Sequence, residues 1–418
     1  MQLHLPEYLT YIFTCLTALA VSLFSIPNII YVSKRKRLLD LPDNERKLHK
    51  RIVPNLGGIG IFIAFVIATS IFVKPIEFGR WNYINASLLI LFVTGIKDDL
   101  VQISPNKKFI AQIVAAFITV CLADIRITSL HGIFGIHVLP DWISIPFTII
   151  GCVFVTNAFN LIDGIDGLAG TIGVFISLIF GVALAVEGRT SEAIIAFSLM
   201  GAILGFLRYN ISPASIFMGD TGSLIIGFSI AVLSIFFVNG YHLGTAIYHY
   251  IPTSSGALVV ALSVLFIPVF DTFRVFTTRI MKGRSPFSPD RTHLHHYLLD
   301  LGFTHSQTVS VLLTANGLIV AVSLATQRYN VNIAIISLLV VTFGLFGLLM
   351  FIRRAHHTPL PTANGANLAT NAAVSLGNGI SEGQHPAAAN GIKHQSNNIT
   401  VNGKKIVINE KEELVVTE

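Results

Sequence analysis

Eleven apolar runs of near-bilayer length fill most of this chain, at roughly 8–31, 56–73, 82–96, 109–123, 141–158, 168–186, 192–207, 222–238, 257–276, 307–325 and 331–352. A hydrocarbon core about 30 Å thick is crossed by about 20 apolar helical residues. The sequence therefore predicts an all-α integral membrane protein, a polytopic bundle of about eleven transmembrane helices with catalytic loops on the cytoplasmic side. Composition agrees, with 53% hydrophobic and only 12% charged residues, against about 25% charged in a soluble domain. The runs at 82–96 and 109–123 are short, and adjoining polar motifs are expected to extend their helices past the hydrocarbon. The first run exceeds a signal-peptide core and lacks a small-residue cleavage signature, so it is expected to be retained. Cys15, Cys121 and Cys152 all lie inside apolar runs. They are expected to be small buried hydrophobes rather than disulfide partners or zinc ligands.

Charge sets the orientation. The loop after the first run carries Lys34, Arg35, Lys36, Arg37, Arg46, Lys47, Lys50 and Arg51. Basic loops stay in the cytoplasm, which puts the N-terminus outside. On alternation, the outside connections hold only Lys74, Arg80, Arg126, Arg189 and Arg328 as basic residues. Lys97, Lys107, Lys108, Arg208, Arg274, Arg279, Lys282, Arg284, Arg291, Arg353 and Arg354 fall inside. The net charge of +6 therefore reflects orientation in the lipid bilayer, and no nucleic-acid partner is expected.

The same alternation brings four polar segments to the cytoplasmic face: 95–100, 157–168, 217–222 and 290–296. Carboxylates near apolar spans are costly and mark functional sites. Together the four suggest one active site built around a metal and a phosphate-bearing substrate. Asp98 and Asp99 end the third run. Adjacent helix positions point about 100° apart, so one acid can face a substrate while the other holds a neighbour; solvation of a helix end is the plainer alternative. Asn157, Asn160 and Asp163 recur every third residue, which lines up oxygen donors on one helical face. Asp166 follows at the same spacing, although Gly164 can end the helix before it. The segment lacks the terminal Glu of an EF-hand loop, and an ordinary turn is the alternative.

Asp220 precedes a helix expected to start near Thr221. Free N–H groups and the dipole at such an end favour a phosphate, and Asp220 would bring Mg²⁺, which is usually held by carboxylates plus phosphates. A simple N-cap by Asp220 is the alternative. His293, His295 and His296, with Arg291, suit phosphate binding or proton transfer near neutral pH better than a transition-metal site. Asp271 and Arg274 are expected to form a structural ion pair. His49, ahead of Pro54 and Gly57-Gly58, is a candidate anion ligand.

The motifs Arg46-Lys-Leu-His49 with Pro54 and Gly57-Gly58, Asp98-Asp99, Asn157 to Leu168 and Phe217-Met-Gly-Asp220 resemble those of the polyprenyl-phosphate N-acetylhexosamine-1-phosphate transferases. The stretch from Gly283 to His296 looks like the WecA branch, the undecaprenyl-phosphate GlcNAc-1-phosphate transferases. His293-Leu294-His295-His296 departs from the three consecutive histidines usual in the related MraY branch. The resemblance covers roughly residues 34–305. It implies a multi-pass enzyme of the bacterial inner membrane, with active site and C-terminus cytoplasmic. It implies Mg²⁺ dependence, with Mn²⁺ as a substitute, and transfer of GlcNAc-1-phosphate from a UDP-sugar, UDP-GlcNAc, to undecaprenyl phosphate with release of UMP. Carried onto this chain, the resemblance implies catalytic roles for Asp98, Asp99, Asp163 and Asp166. Asn160, Asp163 and Asp220 would lie at the metal, and His49, Lys108, Asn210, Arg291, His293, His295 and His296 would bind substrate. Another UDP-N-acetylhexosamine is an alternative donor, and the oligomeric state is open, a homodimer included. A secondary transporter with a carboxylate relay is the rival class, disfavoured because the acids sit at the cytoplasmic edge and no repeat is visible.

Residues 1–355 are thus expected to form the membrane domain and 356–418 a polar, disordered cytoplasmic tail. Within that tail Ile399 to Ile408 resembles a hairpin around Asn402-Gly403, a unit that is marginal in water by itself.

Overall fold

The computed structural model describes residues 6–36, 38, 53–73, 78–240, 251, 254–285, 292–327, 329 and 331–357, with strand segments 398–401, 404–408 and 414–417. The first unit is all-helical: α1 Glu7–Arg35, α2 Gly57–Phe72, α3 Phe78–Val101, α4 Pro105–Phe117, α5 Asp141–Ile162, α6 Leu168–Val186, α7 Thr190–Asn210, α8 Gly219–Gly240, α9 Ser254–Val264, α10 Phe266–Met281, α11 Leu294–Asp300, α12 His305–Thr326 and α13 Val331–His357. A π-helical turn, Ile118–Leu122, prolongs α4.

All eleven apolar runs fall on helices. By length and composition, however, eight of the described helices can cross a membrane alone, and the bent pair α9–α10 makes nine. The difference from eleven lies in α2, apolar but only 16 residues long, and α3, whose end carries Lys97, Asp98 and Asp99.

Helix α8 is the centre of the bundle. It is apolar all round and buried along nearly its whole length, as expected for a helix with protein on every side, and it packs against α2, α3, α5 and α6. A polar group from elsewhere in the chain meets each of its ends. The Asp99 carboxylate receives N–H groups at the start, and the Arg189 guanidinium donates to the Phe236 carbonyl near the end. Those signs complement the helix macrodipole. Hydroxyls tie neighbouring helices where backbones approach: Ser22 donates to the Ala202 carbonyl at 2.9 Å, joining α1 to α7. Ser87 donates to the Ala115 carbonyl at 2.8 Å, joining α3 to α4.

Helices α9 and α10 meet at a bend of 76°. Pro268 has no N–H to offer the Val264 carbonyl four residues back, so the helical ladder fails there. The buried amide of Asn316 in α12 repairs the break. Its Nδ2 donates to the Val264 carbonyl at 3.1 Å, and its Oδ1 accepts the Ile267 N–H at 3.4 Å.

The second unit, described by itself, is a three-stranded antiparallel sheet in the order β1 (Asn398–Val401), β2 (Lys404–Ile408), β3 (Leu414–Thr417). Val401 pairs with Lys404, the register expected of a hairpin around Asn402-Gly403. The third strand was not foreseen, and it extends the pair past a two-stranded unit. Residues 358–397, expected to be disordered, lie outside the described residues.

Substituting Asn316→Leu leaves the Val264 carbonyl and the Ile267 N–H without partners in an apolar surround. We expect a loss of about 2 kcal/mol, the usual penalty for buried unsatisfied groups, read as a lower melting temperature of the detergent-purified protein. An unchanged melting temperature would remove Asn316 from the account of the bend.

Candidate active site

Four helix ends converge on one spot: the end of α3, the start of α4, the end of α5 and the start of α8. The extended segment before α2 is laced to the segment before α8 by backbone bonds. Phe217 N–H donates to the Pro54 carbonyl at 2.8 Å, and Gly57 and Gly58 N–H donate to the Phe217 and Met218 carbonyls at 2.9 Å each. Asp99 then closes the start of α8. Its Oδ1 accepts the Asp220 N–H at 2.7 Å, and its Oδ2 accepts the Thr221 N–H at 3.1 Å and the Thr221 hydroxyl at 2.5 Å. Asn55 Nδ2 adds a contact at 3.4 Å. Gly219 holds φ +71° beside this carboxylate, and a Cβ there would lie 2.7 Å from both of its oxygens. The Met-Gly-Asp motif therefore requires glycine at its centre. This corrects two sequence expectations. The helix-start N–H groups expected to be free for a phosphate are bonded to Asp99, and the cap comes from Asp99 rather than Asp220.

Asp98, one position earlier on α3, points to Lys108. Its Oδ1 accepts the Ile103 N–H at 2.7 Å, and its Oδ2 lies 3.1 Å from Lys108 Nζ. The same ammonium is 2.6 Å from Asp220 Oδ1. Asn160 Nδ2 donates to Asp220 Oδ1 and to Ser223 Oγ at 2.9 Å. Asp163 sits just past the end of α5. Burial, together with the nearby charges of Asp220, Asp99 and Asp166, pushes its carboxyl up to about 8. Asn160, Asp163 and Asp220 border a cavity of about 330 Å³ whose walls also include Asn55, Asp166, Asn210 and Phe217.

The histidine motif joins the same site from α11. Asp271, buried in α10, is ion-paired with Arg274 at 2.7 Å, as expected from the sequence. It does more than that, accepting the Leu294 N–H at 3.0 Å and contacting His293 Nδ1 at 3.0 Å. Asp271 thus fixes the start of α11 and holds the His293 ring through Nδ1. His295 stacks against His293, ring centroids 5.6 Å apart, and lies 4.3 Å from His296. Its ring also packs on Gly164, where a Cβ would sit 2.5 Å from Nε2. The glycine next to Asp163 is thus what lets the histidines approach the acids. Burial, reinforced by His296, pushes the His295 imidazole down to about 3, so it is neutral.

Other residues singled out from the sequence also make structural bonds. Asn157 pairs with Gln112 of α4, donating to Oε1 at 2.6 Å and accepting from Nε2 at 3.2 Å. It is therefore an interhelical tie rather than a third oxygen donor. Asn210, expected to bind substrate, is buried and clamps two loops: its Oδ1 accepts the Gly167 N–H at 2.9 Å and its Nδ2 donates to the Ile216 carbonyl at 2.9 Å. Asp166 accepts the Ala214 N–H at 3.2 Å and faces His305 Nδ1 at 3.5 Å. His49 and Arg291 lie outside the described residues. Asn55, Gln112 and His305 were missed from sequence; Gln112, a lone amide inside an apolar run, was the one with a readable signal.

Among the described residues no three His, Cys, Asp or Glu side chains form a ready-made metal cage. Asp220, Asp163 and the Asn160 amide are hard oxygen donors at one cavity, with Asp98 linked to Asp220 through Lys108, and Mg²⁺ is ordinarily held by one or two carboxylates together with substrate phosphates. The Lys108 ammonium between Asp98 and Asp220 marks where these acids want positive charge. The residues fit Mg²⁺. The acids also gather at helix ends rather than mid-span, unlike a transporter's relay.

A family model for glycosyl transferase family 4 matches residues 81–238. A probable undecaprenyl-phosphate N-acetylglucosaminyl 1-phosphate transferase of Bacillus subtilis is 34% identical over 309 residues, 71% of this chain and 80% of that protein. The chain belongs to glycosyl transferase family 4. Other members of the family are similarly near. Undecaprenyl-phosphate alpha-N-acetylglucosaminyl 1-phosphate transferases of Salmonella typhi and Escherichia coli K12 are 33% and 29% identical, over 75% and 76% of this chain. The matched segment contains Asp98, Asp99, Lys108, Asn160, Asp163 and Asp220.

Two outcomes are expected of this family member. Asp99→Ala should lower stability by about 1–3 kcal/mol even without substrate, because a buried cap serving several donors is lost, and thermal melting in detergent reads it. For His295 the fold favours the neutral ring. Its contribution is complete above the ordinary imidazole value of 6.5 and is lost as pH falls from there towards about 3. The acid-side decline in melting temperature should be shallower in His295→Gln, and an identical slope would contradict the assignment.

Proposed function

We propose that this chain transfers GlcNAc-1-phosphate from UDP-GlcNAc to undecaprenyl phosphate, releasing UMP, at the cytoplasmic face of a bacterial inner membrane. Its eleven apolar runs would then each pass the bilayer, with the N-terminus outside, as the basic residues favour. The single observation that carries the proposal is the Asp98–Lys108–Asp220 chain, at 3.1 and 2.6 Å, where four helix ends meet. The names of the relatives point the same way.

In the reaction an oxygen of the acceptor phosphate attacks the sugar-linked phosphorus. The bond from that phosphorus to the bridging oxygen breaks, and UMP departs with the electron pair. Such transfers ask for alignment and charge neutralisation more than covalent help. Lys108 offers its ammonium to the phosphates, and Asp98 aims it and orients the acceptor. Asp220, Asn160 and Asp163 would hold Mg²⁺, with Mn²⁺ able to substitute. When bound, the ion neutralises the diphosphate and makes its phosphorus more electrophilic. Asp99 positions Asp220 through the start of α8. Asp166 steadies the loop after Asp163, and neutral His295 with His296 hydrogen-bonds the diphosphate side. Direct attack is favoured over an acyl-phosphate intermediate, because the acceptor phosphate is already a competent nucleophile. UDP-GlcNAc is preferred over another UDP-N-acetylhexosamine on the names of the relatives alone.

The test is UMP release by purified protein in detergent with undecaprenyl phosphate, Mg²⁺ and a panel of UDP-sugars. We expect release that needs lipid and metal and is fastest with UDP-GlcNAc. Asp220→Asn should cost about 100-fold or more, the scale of losing one charge-stabilising group. An Asp220→Asn enzyme at full activity in limiting Mg²⁺ would sink the metal assignment.

A further inference from the structure

We infer that Arg353, near the end of the last membrane helix, is a positioning residue for the histidine motif; this rests on the proposed transferase activity. Helix α11 has only seven residues, too few to hold its shape without tertiary support. Its start is tied to Asp271, as described above. Its far half is held by α13. Arg353 is ion-paired with Asp300 at 3.0 Å, and its guanidinium lies 4.1 Å from the centroid of the Tyr297 ring. Arg274 approaches the same ring at 5.1 Å, donates to its hydroxyl at 3.3 Å, and meets Phe346 of α13 at 5.4 Å. Tyr297 thus carries guanidinium contacts from α10 and from α13.

The position of Tyr297 makes this contact matter. It is four residues after His293, one helical turn, and adjacent to His296. Whatever fixes the Tyr297 ring fixes the rotation of α11, and with it the direction of His295 and His296. Of the two contacts made by Arg353, the ion pair is the weaker. Asp300 is 47% exposed and Arg353 28% exposed, and exposed pairs contribute little. Tyr297 is buried, so the guanidinium over its ring does most of the holding. Lysine's compact, strongly hydrated ammonium is a poorer substitute over a ring face than the delocalised guanidinium. The last helix therefore acts on the active site from behind it, without touching the substrate.

Arg353→Ala is the decisive variant, studied in the full-length protein in detergent by kinetics, thermal melting and hydrogen exchange. We expect KM for UDP-GlcNAc to rise about tenfold, the low end for residues that orient a ligand-binding side chain, with KM for undecaprenyl phosphate unchanged. Amides of 294–300 should exchange faster while the first turn of α8 stays as protected as before. Arg353→Lys should resemble the alanine variant, and Asp300→Asn should resemble wild type. Unchanged KM and exchange would overturn the inference. So would a general loss of melting temperature with both KM values moving together. If the unsubstituted protein releases no UMP from any donor, the transferase assignment fails instead, and faster exchange confined to 294–300 would still establish the clamp.

Discussion

The carboxylate of Asp99 at the start of α8 is the contact on which the rest of the site depends. A helix buried on all sides cannot satisfy its first N–H groups with water, and unsatisfied buried donors are costly. An acceptor must come from another element, and α3 supplies it. That requirement draws the end of α3 against the start of α8 and demands a glycine at 219. It also brings Asp98, about 100° around the helix, to Lys108. One Asp-Asp dipeptide thereby serves architecture with one residue and the proposed chemistry with the other.

The histidines follow the same logic one layer further out. Asp271 is buried, yet its oxygens are taken up by Arg274, His293 and the Leu294 N–H. Its charge is compensated on several sides, which is the condition under which a buried acid is tolerated. The acid holds α11 in place, and α11 presents a neutral His295 to the loop that bears Asp163. The acid-rich floor and the imidazole wall come from separate parts of the chain, and glycine at 164 lets them touch.

Much of this was legible before any coordinates. Apolar runs are long and local, so helix placement followed from composition alone, and the acid clusters stood out against a greasy background. What escaped was the choice of partner. Nothing local tells Asp99 from Asp98, or says that Asn157 answers Gln112 and Asn210 answers two loop backbones. The sequence offered 257–276 as one continuous run, and the repair of the bend inside it depends on Asn316, 52 residues beyond Val264. The count of crossings was also beyond reach, because a 16-residue α2 and a charged end on α3 blur what a span is. Long-range complementarity decides these points, and a single sequence carries it only as isolated polar residues in apolar runs.

The two polar groups that meet the ends of α8 have an order in time as well as in space. Asp99 and Arg189 both precede residue 219 in the chain, so a growing polypeptide presents both before α8 is made. Until then Asp99 lacks the helix start it caps, while Arg189 already has Glu192 three residues on as its ion partner. Helix α8 enters last among these elements, into a slot whose two ends already carry the signs its dipole requires. Its arrival gives Asp99 its N–H donors and gives Arg189, already paired with Glu192, the Phe236 carbonyl.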